Sequence, residues 1–486
     1  MNTLTTDTAP PARGLRARWH APGGYSEVLR IALPLIISTG TWSIQHFVDR
    51  MFLAWYSPEA IAAAVPAGLL SFTVTCLFMG TASYVGTFVA QYYGAGEYTR
   101  CGPSLWQGMY VALIGGIFQI MLIPLSGDIF RAIGHAPALM EQERIYFEIM
   151  CWGAGPVIAS SSLAAFLAGL GHTKPIMWIN ILTTAVHLVL DWILIFGHLG
   201  FPEMGIAGAG IAMVIAFVIG LIVSLLFVGR GVYARTYHTI SGWRFERELF
   251  SRLVRYGVPS GIQFFIDIAG FTAFVILIGR LGTTALAATN IAFNINTLAF
   301  MPMMGTGIAV SVLVGQRMGE NRPALAEYTT ISAFHLTCLY MFAIAFFYVV
   351  TPGIFIEPFA SQSDPAAFAP IRQDTVVLLR FVALYSLFDT MNIVFASSIK
   401  GAGDTFFVMV LQVTLAVVVM IVPSYVAIEY CSMGLYGAWI FATAYIILLG
   451  VAFFIRFRKG AWKSMRIIEE RRFAIPPTFP EAPTGE

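Results

Sequence analysis

Residues 34–94 read PLIISTGTWSIQHFVDRMFLAWYSPEAIAAAVPAGLLSFTVTCLFMGTASYVGTFVAQYYG, and residues 259–319 read PSGIQFFIDIAGFTAFVILIGRLGTTALAATNIAFNINTLAFMPMMGTGIAVSVLVGQRMG. At an offset of 225 the two stretches run without a gap and agree at 13 of 61 positions. The matches include Met79-Gly80-Thr81 with Met304-Gly305-Thr306, Gln91 with Gln316 and Gly94 with Gly319. Further on, Gly169, Gly171 and Thr173 match Gly401, Gly403 and Thr405 at offset 232, and MGIAGAGI from Met204 matches MGLYGAWI from Met433. Self-similarity over this length marks a chain built from two copies of one unit. Each copy holds apolar runs long enough to cross about 30 Å of hydrocarbon as helix, so the unit is a bundle of membrane-spanning helices.

Composition requires the same solvent. The chain has 486 residues, 58% of them hydrophobic and 11% charged, where soluble domains carry roughly 25% charged residues. So few charges cannot clothe a chain of this size in water. A net charge of +2 gives no field for nucleic acid. The five cysteines, Cys76, Cys101, Cys151, Cys338 and Cys431, form no CxxC pair, so neither a disulfide framework nor a metal site is expected, and they read as packed thiols.

Twelve spans are expected, over 26–56, 60–92, 103–125, 141–170, 175–198, 206–230, 250–280, 285–317, 324–351, 374–400, 405–428 and 436–457. Residues 1–24 form a tail rather than a cleaved signal, because no small-residue cleavage site follows Arg13, Arg16 and Arg18. Residues 25–230 form an N-lobe of six helices, 231–248 a basic linker, 249–458 a C-lobe of six, and 459–486 a second tail whose end, FAIPPTFPEAPTGE, is expected to be disordered. The termini and even-numbered loops carry 22 of the 28 Lys and Arg, while Arg50, Arg131, Arg144, Arg280, Arg372 and Arg380 fall opposite. The positive-inside rule then puts both termini in the cytoplasm. Six is even, so the repeats are parallel, an arrangement that commonly holds a substrate site between lobes and alternates its access.

Four carboxylates fall within apolar spans: Asp49, Asp191, Asp267 and Asp389. A charge at bilayer depth costs about 2.5 to 3.5 kcal/mol, so such acids are functional candidates, the bland alternative being an acid paired with an interior hydroxyl. In the repeat Asp49 aligns with Phe274, Asp267 with Trp42, Asp191 with Pro423 and Asp389 with Val157. The scaffold itself therefore needs no acid at these positions. His46 precedes Asp49 by three residues and His187 precedes Asp191 by four, spacings that put each pair on one helix face and suggest proton relays. That favours protons over Na+ in the N-lobe, with a purely structural role for His187 as the rival. Met301, Met303, Met304, Phe264, Phe265, Phe293 and Phe300 offer a deformable wall for flat organic cations, against plain helix packing. Trp42, Gln263, Phe264, Phe265, Asn294 and Met301 are the candidate cavity residues.

Over residues 25–458 the chain resembles the multidrug and toxic compound extrusion (MATE) family, bacterial drug-efflux branch. The resemblance rests on PLIISTGTWSIQHFVDRMFLAW, GLGHTKP, LDWILIFG followed by MGIAGAGIA, GVPSGIQFFID, and YSLFDTMNIVFASSIKGAGDT. It implies an all-α antiporter of twelve helices in two V-shaped lobes, exporting amphipathic, often cationic compounds against H+ or Na+, in the bacterial inner membrane. It also implies that Asp267, Asp389 and Tyr385 form a C-lobe cation site and that Asp49 and Asp191 form an N-lobe one. Two departures stand out: Asp267 where the branch often has Glu, and His187 where Asn is usual. Beyond the coupling ion no cofactor is expected. The expected partners are organic cations and the bilayer, not nucleic acid, and the chain is expected as a monomer. A flippase of lipid-linked oligosaccharides is the alternative, disfavoured because Lys and Arg lie only near helix ends. An integral-membrane enzyme is disfavoured because no catalytic set such as HExxH occurs. A passive channel suits the acid pairs less well than coupled exchange.

Overall fold

The computed structural model describes residues 14–133, 136–360 and 365–469; the first thirteen residues and the FAIPPTFPEAPTGE tail lie outside them. Among the described residues, twelve helices are long and apolar enough to span a membrane: α1 Tyr25–Tyr56, α2 Pro58–Gly94, α3 Tyr98–Ile133, α4 Pro137–Gly169, α5 Thr173–Phe196, α6 Gly205–Val228, α7 Arg247–Gly279, α8 Thr283–Gly319, α9 Pro323–Val350, α10 Phe368–Ala402, α11 Thr405–Glu429 and α12 Gly434–Lys459. Local chemistry sets their ends. At Ser57-Pro58 the serine hydroxyl accepts from the Ala60 amide at 3.0 Å and proline occupies the first turn, so α2 starts one residue after α1 stops. Gly197 ends α5 at φ 71°, a conformation that suits glycine. Proline interrupts α1, α2, α4, α7 and α8 internally at Pro34, Pro66, Pro156, Pro259 and Pro302, and α11 carries a π-helical turn over Ala416–Ile421.

Both lobes use one packing plan. In the N-lobe α1 lies on α5, α2 and α3 on α4, and α4 and α5 on α6; in the C-lobe α7 lies on α11, α8 and α9 on α10, and α10 and α11 on α12. The lobes meet where α1 crosses α8 and α2 crosses α7. Large apolar side chains such as Phe47, Leu113, Trp178, Leu339 and Phe342 face outward, as lipid-facing surface requires.

Several of the residues that match between the halves are those at which the lobes touch. A Cβ on Gly80 would stand 2.8 Å from the Gly261 Cα, and one on its counterpart Gly305 would stand 2.7 Å from the Ile36 backbone nitrogen, Ile36 being the counterpart of Gly261. At the termini side a Cβ on Gly94 would fall 2.0 Å from the Gln316 carbonyl oxygen, and one on Gly319 2.1 Å from that of Gln91. The two glutamines complete the symmetry. Gln91 Nε2 donates to the Gly401 carbonyl at 3.1 Å, and Gln316 Nε2 donates to the Gly169 carbonyl at 2.9 Å, each crossing from one lobe to the other. Glycines let the backbones close in, and the amides satisfy carbonyls left over at helix ends. The structure is thus tightly shut between the lobes on the side of the termini.

A strap formed by residues 460–469 lies across that closed side. Trp462, Ile467 and Ile468 are buried, the Ile467 amide donates to Gln91 Oε1 at 3.1 Å, and Glu469 accepts from Tyr92 Oη at 2.7 Å and from Arg252. It therefore touches α2 of one lobe and α7 of the other. Partial burial works to raise the Glu469 pKa, but hydrogen bonds from Arg252 and Tyr92 outweigh it and lower it from 4.5 to about 2. For a depressed carboxyl the stabilisation is complete above its ordinary pKa and is lost only as pH falls toward the folded value. The strap is accordingly expected to stay docked down to about pH 4, whereas Glu469→Gln loosens it at every pH. Trypsin cleavage at Lys463 and Arg466, followed in detergent, checks this: clipping in Glu469→Gln no faster than in the wild type would refute it.

Candidate functional site

The N-lobe acids lie between α1 and α5. One ligand atom each from Asp49, His187 and Asp191 falls within 4.8 Å of the other two, and all three residues are buried. His187 Nε2 stands 3.3 Å from Asp191 Oδ2. Among the described residues, Asp49 Oδ1, both Asp191 oxygens and both His187 nitrogens make no hydrogen bond. Buried polar atoms normally find partners, and two carboxylates at one apolar site cannot both carry unbalanced charge. The arrangement suits one shared proton or one small cation.

Leading to this cluster is a seam of polar pairs. Asn180 Nδ2 donates to Ser38 Oγ, and Thr184 Oγ1 donates to Gln45 Oε1 at 3.4 Å. Positions 180, 184, 187 and 191 of α5 recur at helical spacing, a stripe that the sequence displays but that attention to acids and histidines alone passes over. His46 is not one of these three: its ring packs on Trp42 at 5.5 Å and lies near enough to His187 for their charges to be felt, while no ion pair joins it to Asp49 among the described residues. Helical side chains lean toward the N-terminus, so His46 leans back over Trp42, four residues earlier, rather than forward to Asp49.

In the C-lobe the corresponding helices α7 and α11 carry Asp267 and Gln412, while Asp389 and Tyr385 stand on α10. Asp267 accepts from Gln412 Nε2, and Asp389 accepts from Asn392 Nδ2 at 3.0 Å on its own helix. Tyr385 is buried one turn from Asp389, and no hydrogen bond among the described residues joins it, Asp267 and Asp389 to one another. At offset 232 Gln412 is the counterpart of Asn180, and at offset 225 Gln263 is the counterpart of Ser38. The amide on the second helix is therefore common to both seams. Asp267, aligned with Trp42, lies seven residues, about 10 Å of helix, nearer the termini side than the level of Asp49. The Gln263 side chain accepts from Lys400 Nζ at 3.0 Å.

Between the lobes an aromatic bridge runs from Trp42 to Phe72 at 5.5 Å and on to Phe264 at 6.3 Å. Phe264, Phe265 and Met301 are half-buried, and Asn294 is exposed with its amide donating to the Asn290 carbonyl at 2.8 Å. Phe293 instead packs on Trp439 at 5.1 Å within the C-lobe, and buried Met303 lies against Thr390; both belong to helix packing. Phe72, Gln412, Lys400 and Asn392 were not singled out by the sequence.

Two parallel six-helix lobes around buried acids define a membrane transporter of the two-lobe kind. The family model MatE matches residues 34–193 and 259–426, and the chain belongs to that family; it is a transporter and not an enzyme. It is 26% identical over 426 residues to "Probable multidrug resistance protein NorM" of Bradyrhizobium diazoefficiens, covering 87% of this chain and 88% of the relative. It is 27% identical over 458 residues to the protein of the same name in Shewanella oneidensis, covering 89% and 94%. Among solved structures, "Outward-facing conformation of a multidrug resistance MATE family transporter of the MOP superfamily" superposes with a TM-score of 0.82 at 20% identity, covering 93% of this chain and 99% of that one. A transporter from Pyrococcus furiosus, titled for the reverse polarity of its binding pocket, gives 0.82 at 21% identity with the same coverage. At these identities the structures establish the fold.

Proposed function

We propose that the chain exports amphipathic organic cations across the bacterial inner membrane in exchange for inward H+ or Na+, as a monomer with cytoplasmic termini. The observation that carries this reading is the buried Asp49–His187–Asp191 cluster, in which Asp49 Oδ1, both His187 nitrogens and both Asp191 oxygens lack hydrogen-bond partners among the described residues. Such a group is held in an apolar bundle only where a travelling cation or proton balances it. The names of the bacterial relatives, which describe multidrug resistance proteins, support the class of cargo. Asp267 and Asp389, with Tyr385 beside the latter, supply the negative charge for an organic cation, and Trp42, Phe72 and Phe264 supply faces for its flat rings.

Protons fit the N-lobe better than Na+. Sodium favours oxygen donors, whereas His187 presents nitrogen within 3.3 Å of Asp191. A lipid-linked pyrophosphate fits poorly, because Asp267 and Asp389, with a single lysine, Lys400, beside the former, would oppose its negative charge. Dye efflux in inverted vesicles under imposed gradients tests the reading. A pH gradient should drive uphill movement more strongly than a Na+ gradient, and His187→Asn should shift the pH optimum and weaken the proton-driven rate. An unchanged pH profile in that variant would leave His187 a scaffold residue, and efflux indifferent to both gradients would remove antiport altogether.

A further inference from the structure

Lys400 ends α10 in the stretch SIKGAGDT, where it reads as a loop residue on the termini side. In the fold its two ends are tied to different lobes. Its carbonyl accepts from Tyr84 Oη of α2 at 2.8 Å, and the next two carbonyls, of Gly401 and Ala402, accept from Gln91 Nε2 at 3.1 and 3.3 Å. Its ammonium points the other way, donating to Gln263 Oε1 on α7 at 3.0 Å. Gln263 precedes Asp267 by four residues, so the ammonium rests on the same helix face, one turn away, about 6 Å along the surface. A neutral amide is a weak partner for a full charge whose better partner lies one turn farther. The anchoring at Tyr84 and Gln91 fixes where the lysine starts, and that anchoring exists only while the lobes are shut on the termini side.

We propose that Lys400 is a gate-linked ejecting cation: closure of the lobes on the termini side presents its ammonium beside Asp267, and the charge repels an organic cation held there toward the opposite side. When the lobes part, Tyr84 and Gln91 release residues 400–402, the lysine withdraws toward the termini-side water, and Asp267 regains its full attraction for cargo. A long flexible stem with a compact charge suits a group that moves between water and a helix surface. Two like charges about 7 Å apart in partly screened surroundings change cation affinity by at least about ten-fold. The proposal rests on the reading that Asp267 receives the organic cation.

The test uses the full chain in lipid nanodiscs, with binding of ethidium and of an uncharged aromatic dye read by fluorescence, and efflux measured in proteoliposomes. Lys400→Gln is expected to bind ethidium about ten-fold more tightly, to bind the uncharged dye as the wild type does, and to export ethidium more slowly; Lys400→Arg should restore wild-type behaviour. In an Asp267→Asn background the Lys400→Gln effect should vanish. Unchanged ethidium affinity in Lys400→Gln, or an equal shift for both dyes, would overturn the proposal. Wild-type ethidium binding and efflux in Asp267→Asn alone would instead remove the underlying assignment of Asp267.

Discussion

Asp191→Asn is expected to abolish coupled efflux while leaving the protein at least as stable as the wild type. Both outcomes follow from the partners that the carboxylate lacks. Neither Asp191 oxygen makes a hydrogen bond among the described residues, its side chain is 0% exposed, and Asp49 and His187 stand within 4.8 Å. A buried charge without compensation destabilises a fold, so an isosteric amide removes a penalty rather than a support. Only an arriving proton or cation turns that penalty into function. Thermal unfolding in detergent should show a midpoint equal to or above the wild type, and dye efflux in vesicles should fall to background. Asp49→Asn should behave alike, because the two acids share one charge.

Gly94→Val and Gly319→Val come next in size and should share one phenotype. The added Cβ would lie 2.0 Å and 2.1 Å from backbone carbonyls of the facing lobe, distances that only backbone movement can relieve. Each variant should prise the lobes apart on the termini side and hold them there, with efflux lost although the chain still inserts. Spin labels at the exposed positions Tyr98 and Arg458 would report a lengthened distance between lobes. Wild-type distances in both variants would mean that the glycines serve something other than closure. The shared outcome is the sharper demand, since it follows from the repeat and not from either site alone.

Much of this architecture is legible in the chain itself. The repeat at Pro34–Gly94 and Pro259–Gly319 states the duplication, and in the fold its matching residues Gly80, Gln91, Gly94 and their counterparts turn out to be lobe-to-lobe contacts. The apolar runs give the twelve spans, because in hydrocarbon each span must satisfy its own backbone. Asp49, His187 and Asp191 stand out because charge is scarce in such segments. Gln412 does not stand out: a neutral amide is unremarkable until a facing helix brings it to Asp267. Lys400 looks like a loop residue because helix-end position, not side-chain direction, is what a linear reading sees. His46 pairs with Trp42 rather than with Asp49, since a three-residue spacing places two residues on one face without settling which way each leans. The docking of residues 460–469 is invisible in sequence because it depends on surfaces formed by α2 and α7 only after the lobes close.

The most direct measurement of the central claim is the number of cations moved per dye molecule. Purified protein in proteoliposomes, with H+ and Na+ gradients set independently, should carry ethidium uphill only when a cation gradient runs the opposite way. The ratio should fall to zero in Asp49→Asn and Asp191→Asn, while ethidium binding to those variants persists. Uphill ethidium movement at wild-type rate in either variant, or in wild type with both gradients collapsed, would contradict the account of the buried N-lobe acids as the coupling site.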